Sequence, residues 1–91
     1  MGKSFEIIIS GMVQGIGYRA FTVRNANLLN IKGFVKNLYD GRVKVVAVGE
    51  ESKVRAFVDI LKIGPTYASV KSVDLHELDA AGDYEDFRIE F

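Results

Sequence analysis

Three glycines fall within seven residues, Gly11, Gly15 and Gly17, and an arginine follows two positions later at Arg19. Glycine at that density is incompatible with a regular element and marks a loop of special backbone shape. The run ahead of it, Phe5-Glu6-Ile7-Ile8-Ile9, reads as a strand, and Val23, Ala26 and Leu29 behind it recur at helical spacing. A loop joining a strand to a helix N-terminus can aim several backbone N–H groups at one point, where the helix dipole adds partial positive charge. The matching ligand is an oxyanion, held by the backbone of Gln14, Gly15, Ile16, Gly17 and Tyr18, with Arg19 adding a full charge and a planar fork suited to phosphate oxygens. The bland alternative is a tight connection with Arg19 as a solvated side chain. Gly15–Ala20 also fits G-x-G-x-x-A, the dinucleotide fingerprint. That pattern needs parallel strands and an acid at the end of the second, whereas Asp40 sits beside Gly41 in a turn. No Gly-Lys-Ser/Thr follows, which excludes a P-loop.

A second constellation is Lys32-Gly33-Phe34-Val35-Lys36-Asn37. It resembles the start of an RNA-recognition signature but lacks later stacking aromatics, and Phe34 is expected to pack in the core or on the sheet. Asn37 has two readings, a cap on the following turn or a carboxamide that both donates to and accepts from a water. His76 is expected to face solvent, Glu50-Glu51 to open a helix, and Asp83-Tyr84-Glu85-Asp86 to form a solvated turn. Twelve basic and twelve acidic residues give zero net charge, which argues against a nucleic-acid or anionic-membrane partner. With no cysteine and one histidine, no metal site and no cofactor are expected. There is no long apolar run, and the opening Met-Gly-Lys-Ser-Phe-Glu lacks a signal peptide's features, so a cytoplasmic location is expected.

The elements that must position these residues follow from periodicity. Ser4–Ser10 reads as strand one, bounded by Gly11, and Arg19–Asn30 as a helix with Gly33 as its stop signal. Gly33–Leu38 and Arg42–Gly49, joined by Tyr39-Asp40-Gly41, form an antiparallel hairpin. In Glu51–Ile63, Val54, Phe57, Val58 and Leu61 lie at i, i+3, i+4, i+7, and Gly64-Pro65 ends the helix. Val70–Leu78 and, past Ala80-Ala81-Gly82-Asp83, the alternating Phe87, Ile89 and Phe91 read as strands. The order βαββαβ with one short further strand predicts an α+β ferredoxin-like sandwich, an antiparallel sheet with two helices on one face, as a single domain over residues 1–91. Such a fold hosts many functions and decides none.

Gly11-Met-Val-Gln-Gly-Ile-Gly-Tyr-Arg-Ala-Phe21, followed by Gly33-Phe-Val-Lys-Asn37-Leu-Tyr-Asp-Gly41-Arg-Val43, resembles the acylphosphatase family over essentially the whole chain. Ala26, Leu29, Gly64-Pro65 and Phe87-Arg-Ile-Glu-Phe91 also resemble family positions. The resemblance implies a metal-independent enzyme that hydrolyses the carboxyl–phosphate bond of acyl phosphates, with the glycine loop cradling phosphate, Arg19 binding it and Asn37 positioning the attacking water. A small acyl phosphate is then the substrate, and inorganic phosphate both a product and a competitive inhibitor; a stand-alone monomer is expected. Ile16 and Tyr18 stand where the family commonly has Val and Phe, Lys36 where it has Arg, and Lys44 where it often has an acid. The alternative, from another class, is a non-catalytic ligand-binding or interaction module on the same fold, or such a domain adapted to a larger machine; RNA binding ranks third. The implied chemistry needs no His, Cys or acid, because a carboxylate leaves readily and phosphoryl transfer to water proceeds mainly through positioning and charge stabilisation.

Overall fold

The computed structural model describes residues 2–80 and 82–91; Met1 of the opening segment and Ala81 of the expected loop lie outside them. The order is β1 (Lys3–Met12), α1 (Tyr18–Leu28), β2 (Lys32–Asn37), β3 (Val43–Gly49), α2 (Glu51–Ile63), β4 (Ser69–Leu78) and β5 (Phe87–Glu90). The sheet runs β4-β1-β3-β2-β5, with antiparallel pairing among the first four strands. β5 joins beside β2 in parallel, with Gly33 opposite Phe87 and Lys36 opposite Glu90. This is the predicted sandwich, and the register gives the last strand its place at the sheet edge.

Strand alternation sends Phe5, Ile7 and Ile9 of β1, Val35 of β2 and Val43, Val45 and Ala47 of β3 to one face, where they are buried with Ala26 of α1 and Val54, Phe57, Val58 and Leu61 of α2. Helix α2 has the predicted bounds and the predicted buried stripe. Its Glu51 pairs with Lys3 at 2.8 Å and with Arg55 at 2.9 Å, while Glu50 is the N-cap without a side-chain cap bond. His76 is exposed, as expected. Phe34 lies on the helix-free face of the sheet, 6.0 Å between centroids from Tyr84, so Tyr84 covers the sheet and is not a fully solvated turn residue.

Several boundaries shift by one residue, and the ends of β1 and α1 differ from expectation by two. β1 continues through Gly11 to Met12, because a bulge between Ser10 and Gly11 preserves pairing with β4 as far as Met12 opposite Ser69. Helix α1 ends at Leu28, before the expected Asn30, and Asn30 takes a left-handed φ of 56°; Gly33, expected as the stop, is the second residue of β2. In α1 the buried residues are Tyr18, Thr22 and Ala26, with Phe21 and Val23 partly buried and Leu28 exposed; Leu29, the C-cap beyond it, is partly buried.

Candidate active site

The loop from Val13 to Gly17 connects the end of β1 to the start of α1. Gly17 is the N-cap in left-handed conformation (φ 80°, ψ 14°), and Gly15 has φ 76°. A Cβ at either would meet no neighbour within 4 Å, so only the backbone conformation requires glycine there. The first hydrogen bond into the helix is Phe21 N–H to the Gly17 carbonyl at 3.0 Å. The N–H groups of Tyr18, Arg19 and Ala20 therefore precede the intrahelical ladder and point along the helix axis towards the loop. α1 has no acidic residue in its first turn to answer them.

The side chains of Gln14, Ile16 and Tyr18 in and beside this loop are committed elsewhere, leaving its backbone N–H groups as its free polar part. Gln14 Nε2 donates to the Leu38 carbonyl at 2.8 Å and the Arg42 carbonyl at 2.9 Å, which ties the loop to the β2–β3 turn. Tyr18 is fully buried and its hydroxyl donates to the Leu61 carbonyl at 2.7 Å, joining the first turn of α1 to the last turn of α2. Burial raises the Tyr18 phenol well above the usual tyrosine range. Ile16 packs against the core. Of the phosphate-binding residues read from the sequence, only Arg19 is placed to use its side chain. It is half-buried and makes no hydrogen bond or ion pair among the described residues.

Asn37 ends β2, opposite Val43 of β3. Its Oδ1 is buried and has no hydrogen-bond partner among the described residues, so the expected capping role in the turn is not what engages that oxygen. The turn is held instead by Leu38 N–H to the Arg42 carbonyl at 2.8 Å, and by Asp40, whose carboxylate accepts from the Arg42 N–H at 3.1 Å and Nε at 2.7 Å. The Arg42 backbone N–H, with its guanidinium, holds the Asp40 carboxyl below the usual range.

Phe91 links the two halves of the site. It lines an open depression of about 380 Å³ together with Lys36, Asn37, Leu38 and Tyr39, and the Arg19 Cζ lies over its ring at 5.2 Å from the centroid. Sequence reasoning placed Phe91 on a strand but gave it no part in the site, since nothing in the pattern told which edge that strand would join. Lys44, the departure from the family's frequent acid, pairs with Glu6 at 3.5 Å on the helix-free face, away from Asn37. Among the described residues no cluster of three or more His, Cys, Asp or Glu could hold a metal ion, and no helix is long and apolar enough to cross a membrane.

A ferredoxin-like sandwich with a glycine loop and an arginine at its first helix start, and a buried carboxamide oxygen without a partner among the described residues at the end of β2, defines the class. The acylphosphatase family profile matches residues 5–89. An acylphosphatase of Archaeoglobus fulgidus is 46% identical over 88 residues, covering 97% of this chain and 98% of that protein. The crystal structure of acylphosphatase from Bacillus subtilis superimposes with a TM-score of 0.94 at 33% identity, covering all of both chains. The chain belongs to the acylphosphatase family, and that membership makes it an enzyme of acyl phosphate hydrolysis in general terms. The same fold also occurs inside a larger protein: full-length HypF, in a phosphate- and nucleotide-bound crystal form, matches the whole chain with a TM-score of 0.89 at 28% identity over 12% of its own length.

Proposed function

We propose that the protein hydrolyses small acyl phosphates to a carboxylate and inorganic phosphate without a metal, as a cytoplasmic monomer. The phosphoryl oxygens sit against the backbone N–H groups of residues 15–20, and the Arg19 fork takes two of them. A water donates one O–H to Asn37 Oδ1, which aims its lone pair at phosphorus. The new P–O bond forms as the P–O bond to the acyl group breaks, and the carboxylate leaves with that electron pair. The water's other proton passes to a phosphoryl oxygen, so no side-chain base is needed; the nearest acid in sequence, Asp40, is held by Arg42. Arg19 acts through charge that grows on the transferring group in the transition state.

The observation that carries this reading is the buried, unpartnered Oδ1 of Asn37, a costly acceptor to leave unused unless a substrate water fills it. Benzoyl phosphate hydrolysis by the purified protein tests it. Turnover with competitive inhibition by inorganic phosphate is expected, because the loop and Arg19 address the phosphoryl group and not the acyl part. Absence of turnover, or inhibition by phosphate that is purely noncompetitive, would overturn it. The similarity to a 12% portion of HypF supports a second reading, a module that binds phosphate within a larger assembly. Phosphate binding without turnover is the result that would favour it.

A further inference from the structure

We propose that the ring of Phe91 is the positioning element for Arg19, holding the guanidinium over its face so that all five N–H donors stay free for the phosphoryl group. The proposal rests on the reading of Arg19 given above. An arginine side chain is long and has much rotamer freedom to lose when it is fixed on a ligand. Arg19 is half-buried, yet no carboxylate, carbonyl or hydroxyl among the described residues fixes it. Its described neighbour is the Phe91 ring, with Cζ at 5.2 Å from the centroid, inside the range of a cation–π contact. A carboxylate in that place would also orient the guanidinium, but it would neutralise the charge and occupy the donors that phosphate needs. An aromatic face does neither.

The fold delivers the ring to this point by register. β5 runs parallel to β2 with Glu90 opposite Lys36, which brings Phe91 alongside Asn37 at the strand end. Alternation keeps Phe87, Ile89 and Phe91 on the helix side of the sheet, while Arg88 and Glu90 take the other side. Ile89 lines a groove with Ala20 and Val23, so β5 is anchored on the same helix whose first turn carries Arg19. Phe87 is buried and meets Phe57 edge-on at 5.9 Å. Phe91 by contrast is 98% exposed, which leaves core packing no claim on its ring.

The test replaces Phe91 by Ala, Leu and Tyr and follows both turnover and the Arg19 side chain. Because the residue is exposed, all three variants are expected to fold with an unchanged circular dichroism spectrum. Phe91→Ala and Phe91→Leu are expected to lower kcat/KM for benzoyl phosphate roughly two- to fivefold and to weaken inhibition by inorganic phosphate, while Phe91→Tyr keeps both near wild type. In NMR spectra the Arg19 side-chain protons are expected to be shifted upfield by the ring current in the wild type and in Phe91→Tyr, and to lose that shift in the other two variants. Full activity in Phe91→Leu, or Arg19 resonances that ignore the substitutions, would overturn the proposal. The NMR arm reads the contact even in a protein without turnover, so loss of the functional reading and loss of this one are distinguishable.

Discussion

Replacing Arg19 by Ala removes a charge-assisted contact that tightens as the phosphoryl group gains charge, and it is expected to cost about 3 kcal/mol or more in kcat/KM. Arg19→Lys is expected to recover only part, since an ammonium keeps the charge but lacks the fork. Wild-type turnover in Arg19→Ala would end the assignment. Asn37→Asp keeps the shape and exchanges an amide for an acceptor-only anion. A residue that merely shaped the turn would tolerate this, because Asp is as good a turn residue as Asn. Facing a phosphoryl group, the new charge opposes the substrate by roughly 4 kcal/mol at about 4 Å and an effective dielectric of about 20. Activity is therefore expected to collapse near neutrality and to recover partly in acid, as the introduced carboxylate is protonated. A flat kcat/KM for Asn37→Asp from about pH 5 to about pH 8 would assign the water to another group.

Among the elements, the loop and the turn act together through Gln14, whose amide donates to two carbonyls of the β2–β3 turn. Gln14→Glu would aim carboxylate oxygens at those carbonyls and is expected to cost about 1–3 kcal/mol of stability, read from a urea titration. The Tyr18 hydroxyl joins the two helices in the same way. Its phenol is raised by burial, so the stability of its neutral form is fully present below the unfolded value of about 10 and is lost as pH climbs from there towards the folded value. Tyr18→Phe is accordingly expected to lower stability by about 1 kcal/mol at neutral pH and to flatten the alkaline loss, which pH-dependent thermal unfolding would show. Much of this was legible in the sequence. The stripe Val54, Phe57, Val58, Leu61 gave α2 its bounds, and the glycines with Arg19 and Asn37 marked the two halves of the candidate site. The Gln14 tether and the Phe91 contact were not legible, because each joins residues distant in the chain through a register that local pattern does not encode. The end of α1 was missed for a local reason: Asn30 adopts the left-handed conformation that a glycine was expected to supply.

For the whole molecule, a sequence without cysteine and a donor set without a metal cluster among the described residues predict activity that survives exhaustive chelation. Loss on chelation, restored by a divalent ion, would refute the metal-independent reading. The sheet carries an unequal distribution of cohesion. β1 pairs along most of its length with both β3 and β4, whereas β5 is four residues long, parallel, and bonded on one side only. Short edge elements open at a fraction of the global free energy, and their amide protons exchange with solvent through that local opening. The amides of Arg88 and Ile89 are expected to exchange well before those of Val45 in the central strand. Each such excursion would carry Phe91 away from Arg19 while the rest of the sandwich stayed folded. The molecule would thus spend part of its time native by circular dichroism yet several-fold slower as a catalyst, and in rising urea its turnover would begin to fade ahead of its ellipticity.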